Sequence, residues 1–382
     1  MKKLFHIGAI GLALFEVANV YFIMPMPGSQ RMSSLDLAYF LYSYRWAFRI
    51  VFGLMILIGV VPVFQIKHKW LPALLLLIAA GVTYMFNFQM TADHMFLQPE
   101  HLSFKSKDGN LLNDSSIVVS VENNGQVKAY PMRFIVYHHQ VQDTVGGKPI
   151  IATYCSVCRT GRVYEPTVKG KHEKFRLVGM DHFNAMFEDE TTKSWWRQAT
   201  GEAVTGALKG EALPEVESTQ MTIKKLFELY PSALVMQLDN TWKEKYDTLG
   251  KFEKGKSKGK LTRTDSLSWK DKSWVVGIQI GDQAKAYDWL DLKKLRVIND
   301  EIGSQPIAIV LASDEQSFAA FERPASEKFS ARNDSIFVAD KAFAFSGKGL
   351  SDPSVNLKHI KAYQEFWHSW KTFHPNTKQF QP

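Results

Sequence analysis

Cysteine is nearly absent: two residues in 382, too few for a disulfide framework. They form one C-x-x-C pair, Cys155 and Cys158. A basic stripe is also missing. The net charge is +8, yet Lys and Arg are scattered apart from the run Lys251 to Lys260, whose Gly and Ser content reads as a solvated loop. No nucleic acid is therefore expected as a partner. No β-α-β alternation with a glycine-rich turn occurs, so no nucleotide cofactor is expected. No strand-to-helix nucleophile elbow is read either, which argues against a Ser-His-Asp hydrolase.

Long apolar runs, by contrast, fill the N-terminal quarter. Crossing a bilayer takes about 20 apolar residues. Residues 4–24, 46–64 and 70–88 meet that length, within a transmembrane section of residues 1–95. The lipid bilayer is thus an expected partner. Lys2 and Lys3 precede the first span, and Lys67 and Lys69 join the second to the third. Placing both pairs in the cytoplasm requires three crossings and leaves the rest of the chain outside. A multi-pass protein of the cell (inner) membrane with an extracytoplasmic soluble region is expected. Met24-Pro25-Met26-Pro27 offers no small-x-small cleavage pattern after the first span. Glu16 and Arg49 lie within spans and are expected to pair, because charge at membrane depth is costly.

The soluble region contains an internal similarity. Ser116 to Tyr130 resembles Ser273 to Tyr287, with Lys-Ala-Tyr anchors offset by 285 − 128 = 157. At that offset 11 of the 37 positions from 116 to 152 are identical, Asp143 with Asp300 and Gly146 with Gly303 among them. Leu226 to Pro231 and Trp370 to Pro375 both read as a short helix stopped before proline. The expected fold class is α+β: three membrane helices, then two pseudo-twofold-related lobes of mostly antiparallel strands with short helices. The lobes span 100–240 and 273–382, joined by a polar surface linker at 241–272. Hairpin signals bracket Asn123-Asn124-Gly125, a helix is expected over Arg133 to Val141, and a strand over Lys148 to Tyr154.

The cysteines close that strand. Two thiolates on one turn can share a soft or borderline metal, Cu or Zn, or close a disulfide and exchange it. His138, His139 and His182 are candidate further ligands. Asp143, Arg159, Asn184 and Trp196 are further candidate site residues. By the 157 offset Cys155 meets Ala312, Cys158 meets Glu315 and His138 meets Leu295, so one lobe alone carries this set.

Lys128-Ala-Tyr-Pro131, His138, Asp143-Thr-Val-Gly-Gly147, Pro149, Thr153-Tyr-Cys155 and Cys158 are similar to the prokaryotic family known as domain of unknown function 3179. Asp189, Thr192, Ser194, Trp196, Gln198, Gly201 and Gly206 extend the resemblance, which covers roughly 100 to 380. That family has Pro and Gly beside its cysteines where this chain has Ser156 and Arg159. The resemblance implies a Cys/His site and carries no reaction with it. Three functions follow as expectations: transition-metal binding through Cys155, Cys158 and His138 or His182; thiol-disulfide exchange with Cys155 attacking and Cys158 resolving; or non-catalytic binding around a structural disulfide. The partner in each case is a small molecule, a metal donor or a redox protein.

Overall fold

A computed structural model describes residues 1–65 and 67–382. The fold is mixed α+β, with apolar helices at the N-terminus and a β-rich remainder of many small sheets. The chain forms two compact units, and the division does not follow chain order. One unit comprises Met1–Leu97, Glu173–Arg197 and Glu202–Ala212; the other comprises Gln98–His172, Gln198–Gly201 and Leu213–Pro382.

In the first unit three helices are long and apolar enough to cross a membrane: Lys2–Tyr21, Arg45–Val63 and Trp70–Gln89. The last of these finishes in a π-helical turn, Met85–Gln89. The helices approach closely where glycine removes a side chain. A Cβ on Gly59 would meet Phe5 at 2.6 Å, and one on Gly8 would meet the Phe52 carbonyl at 2.8 Å. Polar groups inside the bundle satisfy one another. Arg49 donates to both oxygens of Glu16, at 2.7 and 3.0 Å, and Asn87 of the third helix donates to Glu16 at 2.9 Å. The expected Glu16–Arg49 pair is thus present, with Asn87 as an unforeseen third member.

The same unit contains a four-stranded antiparallel sheet in the order Ala203–Thr205, Trp195–Arg197, Asn184–Asp189, Phe175–Asp181. It is laced to the segment after the first helix. The Met180 N–H donates to the Ile23 carbonyl at 2.7 Å, and the Phe183 N–H donates to Gln30 Oε1 at 3.1 Å. Gly179 permits this approach, since a Cβ there would lie 2.3 Å from the Ile23 oxygen.

The second unit opens with a sheet in the order Phe104–Lys105, Leu234–Met236, Gln126–Pro131, Ile117–Asn123, Thr219–Thr222. Val118, Val127, Ala129, Met221 and Val235 point into one core with Leu226 of the helix Ile223–Leu229. The helix Met132–His138 then leads to a three-stranded sheet of Gln140–Val145, Lys148–Cys155 and Thr160–Tyr164. This helix is shorter than expected from the sequence. His139 turns left-handed (φ 61°) and Gln140 starts a strand, so residues 139–141 are not helical. Further along, Trp274–Ile280 and Gln283–Asp288 pair in a sheet with Tyr363–Phe366 and Lys378–Gln379. The helix Trp289–Leu295 and the sheet Val297–Ile302, Gln305–Leu311, Phe318–Glu322, His359–Ile360 follow. All strand pairings are antiparallel among the described residues except two: Leu234–Met236 with Gln126–Pro131, and Gln283–Asp288 with Lys378–Gln379. The intervening segment is not wholly at the surface. It folds into the short helices Lys243–Asp247 and Gly250–Glu253, and Tyr246 is fully buried.

Candidate functional site

Cys155 ends the strand Lys148–Cys155 and pairs with Thr160 across a tight turn that holds Cys158. Both cysteines are fully buried, and no disulfide joins them. Their side chains are hydrogen-bonded to each other, and the Ser369 hydroxyl reaches Cys158. Burial pushes the Cys158 thiol well up, and the hydrogen bond with Cys155 adds to this, so Cys158 rests as a thiol at neutral pH.

Arg159 occupies the next position with φ 56°. The family's glycine would take that conformation at little cost, whereas a β-carbon costs roughly 1–2 kcal/mol. The guanidinium supplies the compensation. It donates to Gln364 Oε1 at 3.0 Å and to the carbonyls of Phe252 (2.8 Å) and Glu253 (3.1 Å), and it lies 3.5 Å from the Trp274 ring centroid. The turn therefore keeps its positive φ without glycine, held through its side chain.

Most of the surroundings of the turn come from residues more than a hundred positions away. The Phe366 N–H donates to the Cys158 carbonyl at 2.9 Å. Lys272 Nζ donates to the Val157 carbonyl at 2.7 Å and lies 2.9 Å from His368 Nε2. Burial pulls the Lys272 ammonium below its ordinary range, while the charges of both cysteines act to raise it. Burial, helped by Lys272, brings His368 down to about 4. Gln198 braces the strands on both sides, donating to Thr153 Oγ1 and to the Thr160 carbonyl, each at 3.0 Å. Sequence reasoning passed over Lys272, His368 and Ser369. The one available hint was that Lys272 directly precedes Ser273, the first residue of the second similar segment.

The other candidates have partners of their own, and the His139 carbonyl accepts from the Tyr154 N–H, next to Cys155, at 3.0 Å. His138 Nε2 hydrogen-bonds with the buried Tyr246 hydroxyl. His139 caps its helix with its N–H on the Ile135 carbonyl, and burial pushes it down to about 4. Asp143 is taken by Lys128, at 2.9 and 3.0 Å, and by the Tyr130 hydroxyl at 2.8 Å. Asn184 belongs to the sheet of the first unit, and His182 to the hairpin turn just before it. There the hydrogen bond to Asp181 raises His182, and Asn184 is fully buried. Trp196 is also buried, its indole N–H on Asp189 Oδ2 at 2.9 Å. Among the described residues no three His, Cys, Asp or Glu side chains gather as a metal-holding group. Gly255 to Gly259 spells Gly-x-Ser-x-Gly, but it forms no strand-to-helix elbow, and Ser257 Oγ is bonded to Thr262.

Residues 97–377 match the family described as Protein of unknown function (DUF3179). The chain belongs to this family. No curated protein and no solved structure matches the chain. The family residues quoted above fall into two groups. Lys128, Tyr130 and Asp143 tie Gln126–Pro131 to Gln140–Val145, and Gln198 braces the strands on either side of the cysteine turn. Asp189, Thr192 and Ser194 build the loop before Trp195, where Asp189 accepts from the Thr192 and Ser194 N–H groups and from Trp196.

The titration of His368 has a consequence for stability. Its value is lowered from 6.5 to about 4 in the folded chain, so unfolded chains bind the proton first as pH falls. Its contribution is full above pH 6.5 and is lost as pH drops towards 4, in total about 3 kcal/mol. Melting temperature measured from pH 7 to 4 is expected to fall less steeply in His368→Gln. Parallel wild-type and variant curves would contradict this.

Proposed function

We propose that the protein is a multi-pass protein of the cell (inner) membrane, with its family region outside the cytoplasm, and that Cys155 and Cys158 bind one soft transition metal ion. The observation that carries this reading is the unoxidised, mutually hydrogen-bonded pair of sulfurs on one turn, with Lys272 beside it. Zinc in a closed site takes four ligands, and no third His, Cys, Asp or Glu joins the pair among the described residues. Cu(I) prefers sulfur and tolerates two thiolates alone. Charge favours the same choice. Two thiolates, one monovalent ion and the Lys272 ammonium sum to zero, whereas a divalent ion leaves a buried positive charge uncompensated. Thiol exchange needs an accessible thiolate, and neither sulfur reaches solvent. The extracytoplasmic placement is supported by Lys2, Lys3, Lys67 and Lys69 at the ends that three crossings put on one side.

The same reading takes the second unit as two copies of one lobe. Ile117–Asn123, Gln126–Pro131, Met132–His138 and Gln140–Val145 are followed 157 residues later by Trp274–Ile280, Gln283–Asp288, Trp289–Leu295 and Val297–Ile302. Lys128 and Tyr130 hold Asp143, as Lys285 and Tyr287 hold Asp300. One copy carries the sulfurs. The other lacks them and supplies His368 and Ser369 around them, with Lys272 at its start.

The test is metal analysis of the full-length protein, purified reduced in detergent and loaded with Cu(I) under anaerobic conditions. About one copper per chain is expected, falling below roughly a tenth in Cys155→Ser and in Cys158→Ser, since thiolate is the ligand. Reduced wild type that retains no copper would remove the metal reading. A pair found fully oxidised and resistant to reductant would replace it with the structural disulfide.

A further inference from the structure

The first unit contains a cavity of about 500 Å³ that the cysteine chemistry does not use. One wall is Tyr39, Tyr42 and Ser43 of the short helix Leu35–Ser43, together with Arg45, the first residue of the second long helix. Arg176 and Glu188 of the sheet form the opposite wall, and Lys193 closes it from the loop before Trp195. Its three cations are not equally engaged. Arg176 is consumed by Glu188 and Asp93, each at 2.9 Å, and by the Tyr42 hydroxyl. Arg45 is stacked 3.9 Å from the Tyr42 ring centroid and donates to that residue's carbonyl, and neither it nor Lys193 is in an ion pair among the described residues.

The walls are fixed in advance. Glu188 receives the Trp195 indole N–H at 2.9 Å, and Tyr39 and Tyr42 both pack on the Trp195 ring. The Tyr39 hydroxyl donates to the Lys193 carbonyl at 3.2 Å. Lys193 itself has φ 58°, a bend set by the Asp189 carboxylate that anchors the residues on either side of it. The cavity's level is also fixed. It opens where the second apolar helix begins, and Phe40, Tyr44 and Trp46 beside it are exposed. Exposed aromatics at the end of a span mark the headgroup layer of a bilayer.

We infer that this cavity is a binding site for the phosphate of an anionic phospholipid headgroup, held by Arg45 and Lys193. A phosphodiester bears one negative charge and several acceptor oxygens, which suits a cavity lined by the Arg45 and Lys193 cations and by Ser43. The acyl chains would lie along the exposed apolar side of the second helix, where Ile50, Leu54 and Leu57 face outward. The inference rests on the membrane part of the proposed function and not on its metal.

The experiment uses full-length protein in nanodiscs, so insertion of the spans is verified by assembly before any lipid is scored. Native mass spectrometry then counts lipids retained from discs of phosphatidylglycerol mixed with phosphatidylcholine. Wild type is expected to retain phosphatidylglycerol in preference, and Arg45→Gln/Lys193→Gln to lose that preference by roughly tenfold or more. Lys209→Gln, which alters an exposed cation of the same unit outside the cavity, is expected to keep it. Equal retention of both lipids by wild type, or an unchanged preference in the double variant, overturns the inference. So does displacement of the retained lipid by millimolar inorganic phosphate, which would identify a soluble anion as the ligand. Melting curves of each variant exclude misfolding as the cause of a loss.

Discussion

Arg162→Ala is expected to destabilise the full-length protein by about 3–5 kcal/mol, the usual cost of breaking a buried ion pair from one side. The guanidinium is 3% exposed, its partner Glu365 is 1% exposed, and the two meet at 2.7 Å. Arg162 also lies 3.3 Å from the Tyr363 ring centroid, so packing is lost with the charge. The variant leaves Glu365 buried with the Thr160 hydroxyl, 3.3 Å away, as a remaining contact. Spread over a unit of this size, the loss corresponds to a fall of about 10 °C in melting temperature. Lys209→Ala is the internal comparison. Its pair with Asp36 is exposed on both sides, and such pairs are worth about 0–1 kcal/mol. Equal melting temperatures for the two variants would refute the assignment. The apolar double variant Arg162→Met/Glu365→Leu is expected to recover most of the loss. The pair matters for the cysteine turn because Arg162 lies on the strand leaving that turn and Glu365 lies on the strand that precedes His368 and Ser369.

Glu16→Ala is expected to cost a similar amount for a different reason. With the proposed membrane placement no water would solvate the Arg49 guanidinium left behind, and Glu16 is fully buried among the helices. Unfolding of the protein in bicelles, followed by helix content, is expected to begin at clearly lower denaturant, with a loss of about 3 kcal/mol or more. Arg49→Met added to Glu16→Ala is expected to restore much of it, because Asn87 can still bond to the Thr83 carbonyl, 2.7 Å away. A double variant as weak as the single one would show that the carboxylate acts through something other than Arg49.

Much of this protein was legible in its sequence because the signals were local. Apolar length gave three spans, misplaced by a few residues at most: 4–24 against Lys2–Tyr21, 46–64 against Arg45–Val63, 70–88 against Trp70–Gln89. Alternation and Asn-Asn-Gly gave the hairpin of Ile117–Asn123 with Gln126–Pro131. The strand ending at Cys155 followed from its β-branched run. The end of the helix after Pro131 was overrun by three residues, because nothing in a histidine announces that it will turn left-handed. What stayed hidden was long-range. Lys272 and His368 come to the Val157 carbonyl across 115 and 211 positions, and no pattern in a single chain reports that distance. Tyr246 is another case. It lies in a polar stretch that reads as linker, yet its ring is buried against Phe134, with centroids 4.5 Å apart.

The sheet formed by residues 175–205 belongs to the family region by sequence and to the membrane-helix unit by its contacts. The Met180 and Phe183 N–H groups donate to the connection behind the first helix, Arg176 is tied to Asp93, and Lys209, just past the sheet, is tied to Asp36. The apolar helices and the family region are therefore not interchangeable parts. Grafting residues 97–377 onto an unrelated leader would sever a sheet from the groups that complete it, and an expression strategy that trims the helices to obtain a soluble domain would remove a structural neighbour along with a tether.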